Sequence, residues 1–171
     1  MLQKSAMKST NNSNKLRSLG GLVFWIGLCF FTAWLGARVS PGIAPADWYN
    51  AINKPDWNPP AWVFGPVWTT LYTLMGIAAW QVWRNYGFDK ARTALIFFLI
   101  QLVMNGLWSQ IFFGMQEIGW AFFEILLLLA AIIITTILFF EKSRLAGWLM
   151  VPYIVWVGFA SVLNGAIWWL N

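Results

Sequence analysis

PADWYNAINKPDWNPPAWVFGPVWTTLYTLMGIAAWQVW, residues 45–83, decides how this chain folds. It holds Trp48, Trp57, Trp62, Trp68, Trp80 and Trp83 together with five of the seven prolines, and it passes without a polar break from a loop into a long apolar run. Prolines fix φ and lower the entropy of ordering a loop, while indoles seek a headgroup boundary. The segment therefore reads as a stiff aromatic cap leading into a helix.

Outward from this stretch, the 171 residues are 60% hydrophobic and 10% charged, with a mean hydropathy of +0.63. Such a composition is that of an integral membrane protein. About 20 apolar residues cross a hydrocarbon core of roughly 30 Å, and such runs fall near 19–39, 61–83, 93–113, 118–140 and 146–169. The expected fold is all-α, a bundle of five transmembrane helices over residues 19–171 with the Trp/Pro-rich loop between helices 1 and 2. Residues 1–18 read as a disordered basic tail. The first apolar run is too long for a signal-peptide core, so it is taken as a retained helix.

Nine of the eleven cations lie on one side of this topology: Lys4, Lys8, Lys15, Arg17, Arg84, Lys90, Arg92, Lys142 and Arg144. Only Arg38 and Lys54 lie on the other. This asymmetry places the N-terminus in the cytoplasm and the C-terminus opposite. It also assigns the basic charge to lipid headgroups, leaving no reason to invoke nucleic acid. The single cysteine, Cys29, permits no internal disulfide.

Polar residues inside the spans are few. Gln101, Asn105 and Ser109 recur every fourth residue and so share one face, with Trp108 beside them. Lipid would penalise them, so that face should turn inward, as helix–helix hydrogen bonds or as ligand contacts. Trp68, Tyr72, Met75 and Ala79 line a face of the second run, where Gly65, Thr69 and Gly76 offer small surfaces for helix contact. Trp156, Ala160 and Asn164 do the same in the last run. Glu124 lies about 10 Å from its helix end; it is a functional carboxyl, a side chain that reaches the interface, or helix glue to Asn105 or Asn164. Together these depths describe an aromatic, weakly polar pocket roofed by residues 41–61, suited to a flat and largely apolar ligand.

The chain has no histidine, no phosphate-binding glycine loop and no paired carboxylates in its spans. Conventional hydrolytic and metal-dependent catalysis is therefore not expected, nor a bound metal. No internal repeat points to a secondary transporter coupled to Glu124.

The patterns WYxxxxKPxWxPPxWxFGPVWTxLYxxMG at 48–76, NGLWSQIFFG at 105–114 and PYIVWVGFASVLN at 152–164 resemble the tryptophan-rich sensory protein family, TspO/MBR, which includes the translocator proteins. The resemblance covers nearly everything after the tail. It implies a five-helix bundle, often a homodimer, that binds porphyrins or haem with no obligatory cofactor, acting as a sensor, scavenger or transporter of porphyrins in stress regulation. Carried over by position, the ligand-binding residues implied are Trp48, Trp57, Trp68, Tyr72, Asn105, Trp156 and Ala160, to which the pocket reading adds Trp108 and Asn164. Arg38 and Lys54, the outer-side cations, are the expected partners of porphyrin propionates. No catalytic residue is assigned; Trp68 and Trp156 match the pair implicated in light-dependent porphyrin breakdown, the alternative activity. Where animal members place Tyr and Arg of a sterol motif, this chain has Gly165 and Trp169, which argues against cholesterol.

Overall fold

A computed structural model describes the backbone of residues 2–40 and 47–171, and the side chains from Lys15 to Ser40 and from Trp48 onward. It is helical throughout, with no strand among the described residues. The elements are α1 (Leu2–Ala37), the short α2 (Asp47–Ala51), α3 (Ala61–Lys90), α4 (Arg92–Ser109), a π-helical turn (Gln110–Gly114), α5 (Ile118–Lys142) and α6 (Arg144–Leu170). By length and composition, Lys15–Ala37, Arg92–Gly114, Ile118–Lys142 and Arg144–Leu170 can each cross a bilayer. α3 is not among them, because Pro66, three threonines and Gln81 dilute its apolar character.

Three element ends differ from the sequence expectation. The backbone of α1 continues through the segment read as a disordered tail, where no proline or glycine precedes Gly20 to stop a helix. α3 runs past residue 83 to a break at Gly87, whose φ of 69° needs a residue without a Cβ. The third apolar run ends in the π turn rather than as plain α-helix. There the Met115 amide reaches back five residues to the Gln110 carbonyl at 2.8 Å.

The long helices close a ring in the order α1, α3, α6, α5, α4 and back to α1. Inside a bilayer such contacts rest on close packing rather than on a hydrophobic drive, so small residues at crossings matter. A Cβ on Gly76 would stand 2.8 Å from the Ile26 Cα, so the backbones of α3 and α1 come close here. Gly65, expected to serve the same purpose, has nothing within 4 Å of its Cβ position and instead opens onto a cavity together with Thr69. Gly165 accepts the Phe122 ring between α5 and α6.

The consequence is a bundle filled at one end and hollow at the other. Met75, Ala79, Val82, Leu95, Phe98, Ile132, Phe139 and Met150 fill the end nearest the α5–α6 turn. Ser143 caps α6 at that turn, its Oγ accepting from the Ala146 amide at 3.4 Å. Toward the opposite end residues of α1, α3, α4 and α6 line the cavity, which the loop segment 47–60 covers. Residues 41–46 of the expected roof lie outside the described residues.

The roof is fastened at its edge. Asn53 and Asn171 clasp each other, the Asn53 amide donating to Asn171 Oδ1 at 3.0 Å and Asn171 Nδ2 donating to the Asn53 carbonyl at 3.0 Å. The loop is thereby tied to the end of α6.

An aromatic cavity beneath the loop

The cavity has a volume of about 750 Å³. α3 contributes Phe64, Trp68 and Tyr72; α6 contributes Trp156, Ala160 and Asn164; α4 and the π turn contribute Asn105, Trp108 and Phe112. The roof adds Tyr49, Lys54 and Asn58, and α1 adds Phe30, Ala33, Trp34 and Ala37. Of the residues singled out in the sequence, Trp68, Tyr72, Asn105, Trp108, Trp156, Ala160, Asn164 and Lys54 meet here.

Three others do not line the cavity. Trp48 packs edge-on against Phe112 at 5.8 Å, and Trp57 does the same against Phe159 at 5.9 Å. Each holds the roof onto an aromatic residue of the bundle beneath it. Arg38 is exposed, its guanidinium 5.0 Å over the ring of Trp34, a cavity-lining residue.

The rings are arranged for flat surfaces. Trp68 stacks on Tyr72 with centroids 5.3 Å apart and meets Tyr153 edge-on at 6.2 Å. Trp156 leans against Phe64 and Phe159 at 5.9 and 5.6 Å. Trp108 stacks on Phe112 at 5.0 Å. Offset and edge-to-face pairs of this kind fix ring orientation and leave indole faces able to receive another π-system.

Two amides organise the polar groups. Asn105 accepts from the Tyr72 hydroxyl at its Oδ1 and donates from Nδ2 to the Tyr153 hydroxyl at 2.9 Å. It therefore joins α3, α4 and α6 at one point. Asn164 Oδ1 accepts from the Trp108 indole at 3.1 Å, and its Nδ2 donates to the Ile118 carbonyl at 3.0 Å, joining α4, α5 and α6. Gln101, a turn deeper, donates to the Phe98 carbonyl at 2.9 Å and stays out of the cavity. The inward face foreseen for this stripe is thus present, with Asn105 facing the cavity and Gln101 fully buried in the packed end.

Glu124 pairs with neither amide. Both its carboxyl oxygens are buried without a hydrogen-bond partner among the described residues. An unpartnered polar group in the bundle costs stability that an apolar side chain would not. Glu124→Leu should therefore raise the melting temperature in detergent by a few degrees, read by loss of helical circular dichroism.

The roof carries its own polar set. The Tyr49 hydroxyl donates to Asn58 Oδ1 at 3.3 Å, and Asn58 Nδ2 donates to the Pro59 carbonyl at 3.2 Å. Burial pushes the Tyr49 phenol above its usual range, which keeps it protonated and a donor at neutral pH. Tyr49 also meets Phe113 edge-on at 5.5 Å.

Two sets of residues escaped the sequence reading. Tyr153 lies three residues before Trp156, so helical spacing alone puts both on adjoining faces, and a PYIVW stretch was the available signal. Phe30, Ala33, Trp34 and Ala37 follow i, i+3, i+4, i+7, a complete helix face in the first span.

Helices long and apolar enough to cross a bilayer, closing around an aromatic cavity at one end, define an integral, multi-pass membrane protein. The TspO/MBR family model matches residues 25–170. The human translocator protein is 42% identical over 123 residues, 71% of this chain and 73% of its own. The tryptophan-rich protein TspO of Chlorobaculum tepidum is 41% identical over 155 residues, 88% of this chain and 95% of its own. The tryptophan-rich sensory protein of Cereibacter sphaeroides is 38% identical over 142 residues, covering 82% and 88%. The chain belongs to the TspO/MBR family.

Proposed function

We propose that the protein binds a tetrapyrrole, a porphyrin or haem, in the cavity beneath the loop and acts as a membrane sensor, scavenger or transporter of porphyrins in stress regulation. The observation that carries this reading is the cavity itself: about 750 Å³ walled by Trp68, Tyr72, Trp108 and Trp156, with only two side-chain amides, Asn105 and Asn164, among the wall residues of the bundle. That is the size and polarity of a small-molecule site for a large, flat, mainly apolar molecule. Indole faces supply stacking area; the amides supply orientation.

On this reading α3 is a fifth span, the N-terminus is cytoplasmic, and the cavity opens toward the opposite side. Arg38 and Lys54 lie at that side, where the ligand's propionates would be directed. The functional unit is taken as a homodimer in the lipid bilayer.

Trp68 and Trp156 both face the cavity, and that juxtaposition favours one alternative, light-dependent porphyrin degradation with an indole as electron donor. Illuminating the protoporphyrin complex of wild type and of Trp68→Phe/Trp156→Phe separates the two. We expect a porphyrin absorption band that is stable under light in both proteins. Bleaching in wild type alone would replace the sensor or carrier reading with the degrading one.

A further inference from the structure

Lys54 is the only charged side chain lining the cavity among the described residues, and no Asp or Glu shares that lining. Its ammonium is nevertheless committed. Nζ donates to the Tyr49 carbonyl at 2.6 Å, to the Ile52 carbonyl at 2.8 Å and, at the margin of hydrogen-bond length, to the Asn50 carbonyl at 3.4 Å. It also stands 4.9 Å over the Tyr49 ring. An ammonium has three protons to give, and all three are directed at the end of the short roof helix α2. Two of the contacts are strong and one is weak.

Resting on the porphyrin reading above, we propose that Lys54 is the residue that selects for a carboxylate on the ligand. The carboxylate takes the third proton from the Asn50 carbonyl, and the Tyr49 and Ile52 bonds stay in place. The exchange is favourable because a long bond to a neutral carbonyl at 3.4 Å gives way to a short bond between two opposite charges, ammonium and carboxylate. The same ammonium then holds the ligand and the roof helix, so an acid is bound by a roof that remains shut. Arg38 has no such position, since its guanidinium lies over Trp34 and Arg38 does not line the cavity. The cavity accordingly recognises one carboxylate edge of a flat ligand from inside, and any second carboxylate points outward.

The test compares protoporphyrin IX with its dimethyl ester, titrated in the dark into the detergent-purified full chain. The proteins are wild type, Lys54→Gln and Lys54→Met. Gln keeps a donor for the α2 carbonyls and loses the charge, while Met loses both. Differences in micelle partitioning between acid and ester cancel when each variant's acid-to-ester ratio is divided by that of wild type. The ratio should fall about tenfold in both variants, the size of one charge-assisted hydrogen bond, with ester affinity in Lys54→Gln within about twofold of wild type.

An unchanged ratio overturns the proposal. So does an equal loss for acid and ester in both variants, which would leave Lys54 as a loop cap only. If wild type binds neither porphyrin, the tetrapyrrole reading fails by itself. The same comparison made with pyrenebutyric acid and its methyl ester then decides the role of Lys54.

Discussion

Replacing Asn105 by leucine is expected to lower the stability of the bundle by about 1–3 kcal/mol and to loosen the cavity floor at the same time. One amide serves two phenols, so the substitution leaves the Tyr72 hydroxyl and the Asn105-facing side of the Tyr153 hydroxyl without partners. Both tyrosines are buried, at 6% and 0% exposure, and Tyr153 lies away from the cavity lining, so water reaching Tyr72 through the cavity replaces only part of what is lost. Interhelical hydrogen bonds in membranes average about 0.6 kcal/mol, with a maximum near 1.7. Two such bonds meeting at one residue, plus the penalty for orphaned hydroxyls, set the range given. Asn105→Asp keeps the shape and the acceptor but loses the Nδ2 donor, and it should fall between wild type and leucine. Thermal unfolding in detergent gives the ranking. Equal stability of Asn105→Leu and wild type would show that the amide holds nothing together.

How much of this could be read from the chain follows from which physical signals are local. The inward face of α4 was legible because the Gln101–Asn105–Ser109 spacing is an i, i+4 pattern that a lipid-facing helix does not tolerate. The clustering of Trp68, Tyr72, Trp156 and Ala160 followed from depth along their helices, since rise per residue is fixed. What the sequence withheld depends on rotation and on partner choice. Gly65 and Gly76 look alike in the sequence, yet one opens onto the cavity and the other abuts the backbone of Ile26. Only what each meets in the folded bundle distinguishes them.

The tryptophans of the loop teach the same lesson. Trp48 and Trp57 carry the family pattern, but their rings are spent on Phe112 and Phe159, holding the roof in place. Tyr49 and Lys54, interleaved with them, face the cavity instead. In a short helix followed by a proline-constrained turn, which side chains point inward is set by a few backbone angles that composition does not encode. The Asn53–Asn171 clasp joins residues 118 positions apart, and no local pattern announces it.

The second large effect concerns the cavity's space. Ala160 lies on the α6 wall between Trp156 and Asn164, and its methyl group borders the hollow. Ala160→Trp would place an indole in the volume assigned to the ligand, an apolar addition of about 150–250 Å² of surface that the existing hollow can receive. Because that space is already empty of side chains, the fold should keep its helical content and a melting temperature close to that of wild type. The ligand should lose its place. A dark titration of protoporphyrin into wild type and Ala160→Trp therefore tests the account most directly. Saturable binding by wild type, weakened at least tenfold in the equally folded variant, is the expected result. Equal affinity in the two proteins would contradict it, because the porphyrin would then be bound somewhere other than this cavity.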